Sequence, residues 1–352
     1  MQFLNSFIRK IMRRYLAVSN SLTTFVRAMK QRVEEIDFLR CVLILLMITF
    51  HIVYVGDTYG AAKQFVYTFH MPAFLLVSGY LCNTAKGAWA FLHTMLWIFI
   101  PYLVMESGYV LMASLLPIRE HIDNLSAGVL LEKVFLHPLG PYWYLHTWVL
   151  CSLVYYGAMR IGSHSPSSQK GDEKCADRWK FLRLFAAVAC CAALGFCGLV
   201  SIPNAFYFMA GAALRQYGIG FLRAFWPAVW AIVPVVVIAL FPSQLDRATP
   251  GGVAIVYFMT CFLLSLYRFT PKRFRAPLLK IGRNTLLLLL FSPIFTALSK
   301  LYQPLLVGFD PSGILFCFLT VAIATLGSLL IGWLSDVLRL SPLFFGKPKI
   351  VV

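Results

Sequence analysis

From Phe38 onward the chain alternates long apolar runs with short polar connectors. Ten runs come near the roughly 20 residues that a helix rising 1.5 Å per residue needs to cross the hydrocarbon of a bilayer. They are 38–55, 64–82, 89–116, 142–161, 181–200, 202–217, 221–241, 251–267, 283–303 and 313–337. A backbone inside lipid must satisfy its own N–H and C=O groups, so each run predicts a helix. The expected fold is all-α, a polytopic transmembrane bundle of about ten spans, with residues 38–338 as its membrane domain.

The connectors carry other signals. In residues 1–37, Leu4, Ile8, Ile11 and Tyr15 recur at helical spacing while Arg9, Lys10, Arg13 and Arg14 take the opposite face. That pattern predicts a basic interfacial helix and holds no signal-peptide core. The stretch 162–180 opens Gly-Ser-His-Ser-Pro-Ser-Ser-Gln-Lys-Gly and reads as a flexible linker, and 339–352 reads as a tail. Neither a fixed-period repeat nor a pair of interrupted helices in inverted order is apparent.

Composition agrees with the bilayer: 60% of the 352 residues are hydrophobic and 13% charged, more apolar surface than one soluble core hides. The net charge of +17 would suit nucleic acid, but the cations fall in alternate connectors. With both termini cytoplasmic, 26 Lys and Arg lie inside and only Lys63, Arg119, Lys133, Arg247 and Lys300 outside. This is the asymmetry that orients an inner (plasma) membrane protein, and it makes membrane lipid the partner rather than nucleic acid. The nine cysteines form no CxxC pair and all but Cys175 border or enter apolar runs, so neither disulfides nor a metal site is expected.

Chemistry must then come from polar residues within spans. The first run carries Asp37, Arg40 and, eleven residues on from Arg40, His51. Eleven steps of 100° return to within about 20° of the starting face, and the two side chains stand about 16 Å apart along the axis. One helix face thus joins a boundary cation to an intramembrane imidazole, the side chain best suited to accept a proton near neutral pH. The alternative is a helix-bridging histidine and a snorkelling arginine.

Other polar positions carry paired readings of the same kind. His70 precedes Met71-Pro72, where a helix would bend or break, and suits either a freed carbonyl or a substrate. Glu106 is the carboxylate within the third run, able to orient His51, pair with a cation or bridge helices. Ser78-Gly79 reads first as close packing, Trp143 with Tyr144 as an aromatic belt, and His146 as interfacial.

The order of these motifs resembles the acyltransferase-3 family of integral membrane acyltransferases, whose first helix carries Arg or Lys, ten residues and a His. Residues 69–81, Phe-His-Met-Pro-Ala-Phe-Leu-Leu-Val-Ser-Gly-Tyr-Leu, resemble its second-helix signature, and Pro101-Tyr102 its Pro-Tyr. Gly140-Pro141-Tyr142-Trp143-Tyr144-Leu145 and Leu279-Lys280-Ile281-Gly282-Arg283-Asn284-Thr285 are similar to later elements. Members often carry Lys or Arg shortly before Pro-Tyr, where this chain has only His93 and Lys86 upstream, and many carry His where Ser292 stands.

The resemblance implies a membrane O-acyltransferase that takes an acyl group, commonly acetyl, from acyl-CoA to a carbohydrate or glycolipid hydroxyl. His51 and Arg40 would be the catalytic pair; Asp37, His70, Ser78, Glu106, Trp143 and His146 would support them or bind substrate. Acyl-CoA would be a donor substrate, with no tightly bound cofactor and no metal. The competing class is a transporter or flippase for a glycan or lipid that uses the same polar residues.

Overall fold

The computed structural model describes residues 33–115, 121–161 and 173–352. The N-terminal segment read as an interfacial helix lies outside the described residues apart from its last few positions, and so does most of the predicted linker. Ile36–Val352 forms a single compact unit, separate from Met1–Glu35.

The described residues form helices and no strand. In chain order these are α1 Glu34–His51, α2 Val53–Thr58, α3 Gly60–Leu81, α4 Ala88–Leu115, α5 Ala127–Phe135, α6 Trp143–Arg160, α7 Glu173–Phe196, α8 Ile202–Gln216, α9 Phe221–Ala224, α10 Ile232–Ala239, α11 Pro250–Phe269, α12 Lys272–Arg283, α13 Thr285–Leu298, α14 Gln303–Phe309, α15 Ile314–Val337 and α16 Ser341–Phe345. Four segments are long and apolar enough to cross a membrane: Ala88–Leu115, Asp177–Phe196, Pro250–Phe269 and Ile314–Val337. A fifth arises if Lys272–Arg283 and Thr285–Leu301, bent by 83°, count as one span. Helices that carry polar side chains score lower for a physical reason, because α1 spends Glu34, Glu35, Asp37 and Arg40 among its 18 residues.

α3 is the central helix, with every residue from Thr68 to Gly79 buried. It packs most extensively on α8, and glycines make this approach close. A Cβ at Gly79 would fall on the Phe208 carbonyl, and one at Gly211 on the Leu76 carbonyl, so backbone meets backbone. α11 covers another face of α3, while α6, α7 and α8 pack in succession and α13 pairs with α15.

Four local expectations are corrected. The first run was expected to stay helical to 55, but α1 stops at His51, where Ile52 turns extended (φ −70°, ψ 111°). α3 is unbroken at Pro72: a proline costs a helix about 3 kcal/mol or more, and burial on both sides of it offsets the lost bond. The linker ends early, since α7 already begins at Glu173. The run 221–241 is interrupted around Pro227, leaving Val229–Ala239 as a short apolar helical stretch.

The tail is no loose end. Asp336 accepts bonds from Ser341 Oγ (2.5 Å), Ile350 N (2.8 Å) and Val351 N (3.1 Å). The Asn284 side chain, at the bend between α12 and α13, donates to Val352 O (2.9 Å) and accepts from Val352 N (3.0 Å).

Candidate active site

The Arg40 end of α1 is a charged cluster held by α12 and α13. Buried Asp37 receives Arg283 Nε at 3.2 Å on one oxygen and faces Arg40 at 3.6 Å with the other. Arg40 also donates to Thr285 Oγ1 (2.5 Å). Gly282 makes this possible, because its Cα lies against the Asp37 backbone where any Cβ would collide. Asp37 is thus a positioning residue that orients two guanidinium groups, as carboxylates do best when bonded on both oxygens.

Those groups border a cleft of about 410 Å³, here called basal, which Lys86, His93, Lys347 and Trp148 also line. Among the described residues no Asp or Glu lines it. A narrower passage of about 80 Å³ adjoins it, sharing Arg40, Ser78 and Trp148, and is also lined by Tyr144 and Met71. Ser78 Oγ shares a 2.6 Å hydrogen bond with Tyr144 OH in this wall, so the serine borders the passage as well as sitting beside the Gly79 crossing. The tail supplies Phe345, Gly346, Lys347 and Ile350 to the rim of the basal cleft.

Met71 also faces a second cleft, here called distal, of about 490 Å³. His51, His70, Trp143 and His146 all line it, together with Tyr67, His137, Asn204 and Arg247. His51 Nδ1 lies 2.7 Å from Met47 O. A carbonyl can only accept, so Nδ1 carries the proton and neutral His51 presents Nε2 as its basic atom. His70 is fixed the same way by Val66 O at 2.8 Å. Tyr67 lies between the imidazoles, its ring centroid 6.0 Å from that of His51 and 5.1 Å from that of His70.

The Glu106 carboxylate accepts from Leu139 N at 2.6 Å, which fixes the entry to Gly140-Pro141-Tyr142. His146 is buried, and Phe135 O at the end of α5 meets its Nε2 at 2.9 Å. Trp143 stacks under the Arg247 guanidinium, 5.7 Å from ring centroid to Cζ. Among the described residues no group of three His, Cys, Asp or Glu side chains is placed to hold a metal ion.

A family model described as an acyltransferase domain matches residues 33–333. The chain belongs to the acyltransferase-3 family. No curated protein and no solved structure matches it. In this acyltransferase the α1 face that carries Arg40 and His51 reaches both clefts, and Met71 lines both the narrow passage and the distal cleft.

Sequence reasoning missed Tyr67, Asn204 and Arg247 in the distal cleft of this acyltransferase, and Thr285, Arg283 and Lys347 near the basal one. Asn204 was visible as an amide inside an apolar run, and Arg247 as one of the few cations on the less basic side. Lys86 and His93, noted upstream of Pro-Tyr, both reach the basal cleft.

The docked tail carries a prediction. Asp336→Ala removes three hydrogen bonds to a charged carboxylate, at about 1.5–3 kcal/mol each, and frees Lys347 from the rim. The KM for the acyl donor should rise about tenfold with kcat within a factor of two. An unchanged KM in steady-state kinetics would show that the tail does not shape the donor cleft.

Proposed function

We propose that this acyltransferase moves an acyl group, acetyl in the first instance, from acyl-CoA to a hydroxyl of a carbohydrate or glycolipid. The observation that carries the reading is the tautomer of His51, whose Nδ1 is committed to Met47 O so that Nε2 is the basic atom beside the distal cleft. At the other end of the same helix face, Arg40, Lys86, Arg283 and Lys347 form a cation set suited to the phosphates of coenzyme A. The separation of about 16 Å along α1 is of the order that an extended pantetheine arm covers.

In this reading the chain crosses a plasma membrane about ten times with both termini in the cytoplasm, the orientation the 26-to-5 division of cations favours. The donor enters the basal cleft from the cytoplasm and its arm follows the passage past Ser78 toward Met71. The acceptor hydroxyl binds in the distal cleft. His51 Nε2 takes its proton as the hydroxyl oxygen attacks the thioester carbonyl; the new C–O bond forms, the C–S bond breaks, and the thiolate leaves and is protonated from the imidazolium. The products are an O-acyl ester and free coenzyme A, with no cofactor consumed.

Membranes that contain the protein are expected to incorporate isotope from labelled acetyl-CoA into cell-envelope glycan, and membranes without it are not. Equal incorporation in both would overturn the reading. Glycan crossing the membrane without label would favour a transporter.

A further inference from the structure

The distal cleft holds features that a neutral sugar does not use. Arg247 lines it and, among the described residues, no Asp or Glu does; His137, also in the lining, faces Glu132 at 3.4 Å. The loop that carries Arg247 is pinned on several sides: Tyr207 OH donates to Arg247 O at 2.7 Å, Asp246 Oδ1 accepts from Ala248 N at 2.7 Å, and Gly252 presses on the Asp246 backbone. The neighbouring carboxylate is therefore committed to the turn, and the guanidinium rests on Trp143 with no carboxylate partner among the described residues. A cation held over an indole face and beside a cleft is placed to bind an anion in the plane of its N–H groups.

Two buried acceptor atoms belong to residues that line the same cleft. His70 Nε2 and Asn204 Oδ1 have no hydrogen-bond partner, and both residues are 2% exposed. Because His70 Nδ1 is occupied by Val66 O, its Nε2 accepts rather than donates. Buried acceptors are costly until a ligand supplies donors, so the occupant offers hydroxyl groups as well as negative charge.

We propose that the acceptor is an acidic sugar, carrying a carboxylate or phosphate that Arg247 binds while its hydroxyls donate to His70 Nε2 and Asn204 Oδ1. This rests on the proposed acyl transfer for the word acceptor, but the binding itself does not require the reaction. Arg247 is then a specificity-determining residue, and a neutral sugar of the same shape lacks its main anchor.

The test is calorimetric binding of glucuronate, glucose 1-phosphate and glucose to the purified full chain in detergent, comparing wild type with Arg247→Gln and Arg247→Lys. At least one anion should bind wild type about tenfold more tightly than glucose, the scale of a charged hydrogen-bonded contact; the tighter one names the group. Arg247→Gln should reduce the ratio to about one and Arg247→Lys should restore part of it, with all three proteins melting at the same temperature. Equal binding of the three sugars, binding of none, or a preference that survives Arg247→Gln would overturn the proposal. Preference for an anion in a protein that transfers no label from acetyl-CoA would keep the site and sink the acyl-transfer reading. Label transfer with no anion preference would do the reverse.

Discussion

His51→Asn is expected to lower kcat by about 10²–10⁴, or about 3–5 kcal/mol of barrier, the usual contribution of a positioned general base. Asparagine is the informative replacement because its amide reproduces the donor at Nδ1 and keeps the bond to Met47 O. It has no atom of comparable basicity where Nε2 stood. The KM for acyl-CoA should stay within about a factor of three, because the cations of the basal cleft lie near the other end of α1, about 16 Å away. Expression and melting temperature should match wild type, which His51→Ala, losing the Met47 bond, would not guarantee. Transfer of label from acetyl-CoA at saturating donor measures the effect. Normal turnover in His51→Asn would remove His51 as the base and return it to the helix-bridging role.

Gly211→Val is expected to have the largest effect on folding. Its side chain would meet the Leu76 carbonyl and the Tyr80 amide, backbone atoms of the central helix that cannot rotate aside. Overpacking of ordinary side chains costs about 1–3 kcal/mol; a collision with a buried backbone belongs at the top of that range or above it. α8 would have to move off α3, carrying Asn204 away from the distal cleft. A melting temperature lowered by several degrees, with loss of monodisperse protein in detergent, is the expected result. Gly157→Val on α6 is the control, since a Cβ there meets open space. Equal stability of the two variants would show that the α3–α8 crossing tolerates separation.

The two predictions also mark how differently the site and the packing are read from sequence. Arg40 and His51 lie on one helix, so a count of residues and the 3.6-residue period bring them to one face. Asp37 is one turn from Arg40 and shares in that legibility, but its second cation, Arg283, is 246 positions away. Ser78 was read as packing; its neighbour Gly79 does pack, while the serine itself borders the passage, a distinction of one residue that helix rotation decides. Glu106 reads three ways from sequence, and its bond to Leu139 N, 33 residues on, is one that no local pattern announces. For His146, nothing local said that the Phe135 carbonyl at the end of α5 would meet its ring in a buried position.

By itself the sequence determined that the chain is helical and belongs in a membrane, which acyltransferase family its motifs match, and which helix carries a cation and an imidazole at a set separation. The family comes from a resemblance of motifs; the rest follows from hydropathy, periodicity and spacing, properties local to a stretch of chain. Tertiary structure decided that Arg247, Asn204, Tyr67 and His70 meet His51 around one cleft, and that the tail closes on Asp336 and Asn284 beside another. Those assignments depend on which backbones can approach, as at Gly79, Gly211 and Gly282, and on where buried polar atoms find partners. Both are settled only when distant segments compete for the same space.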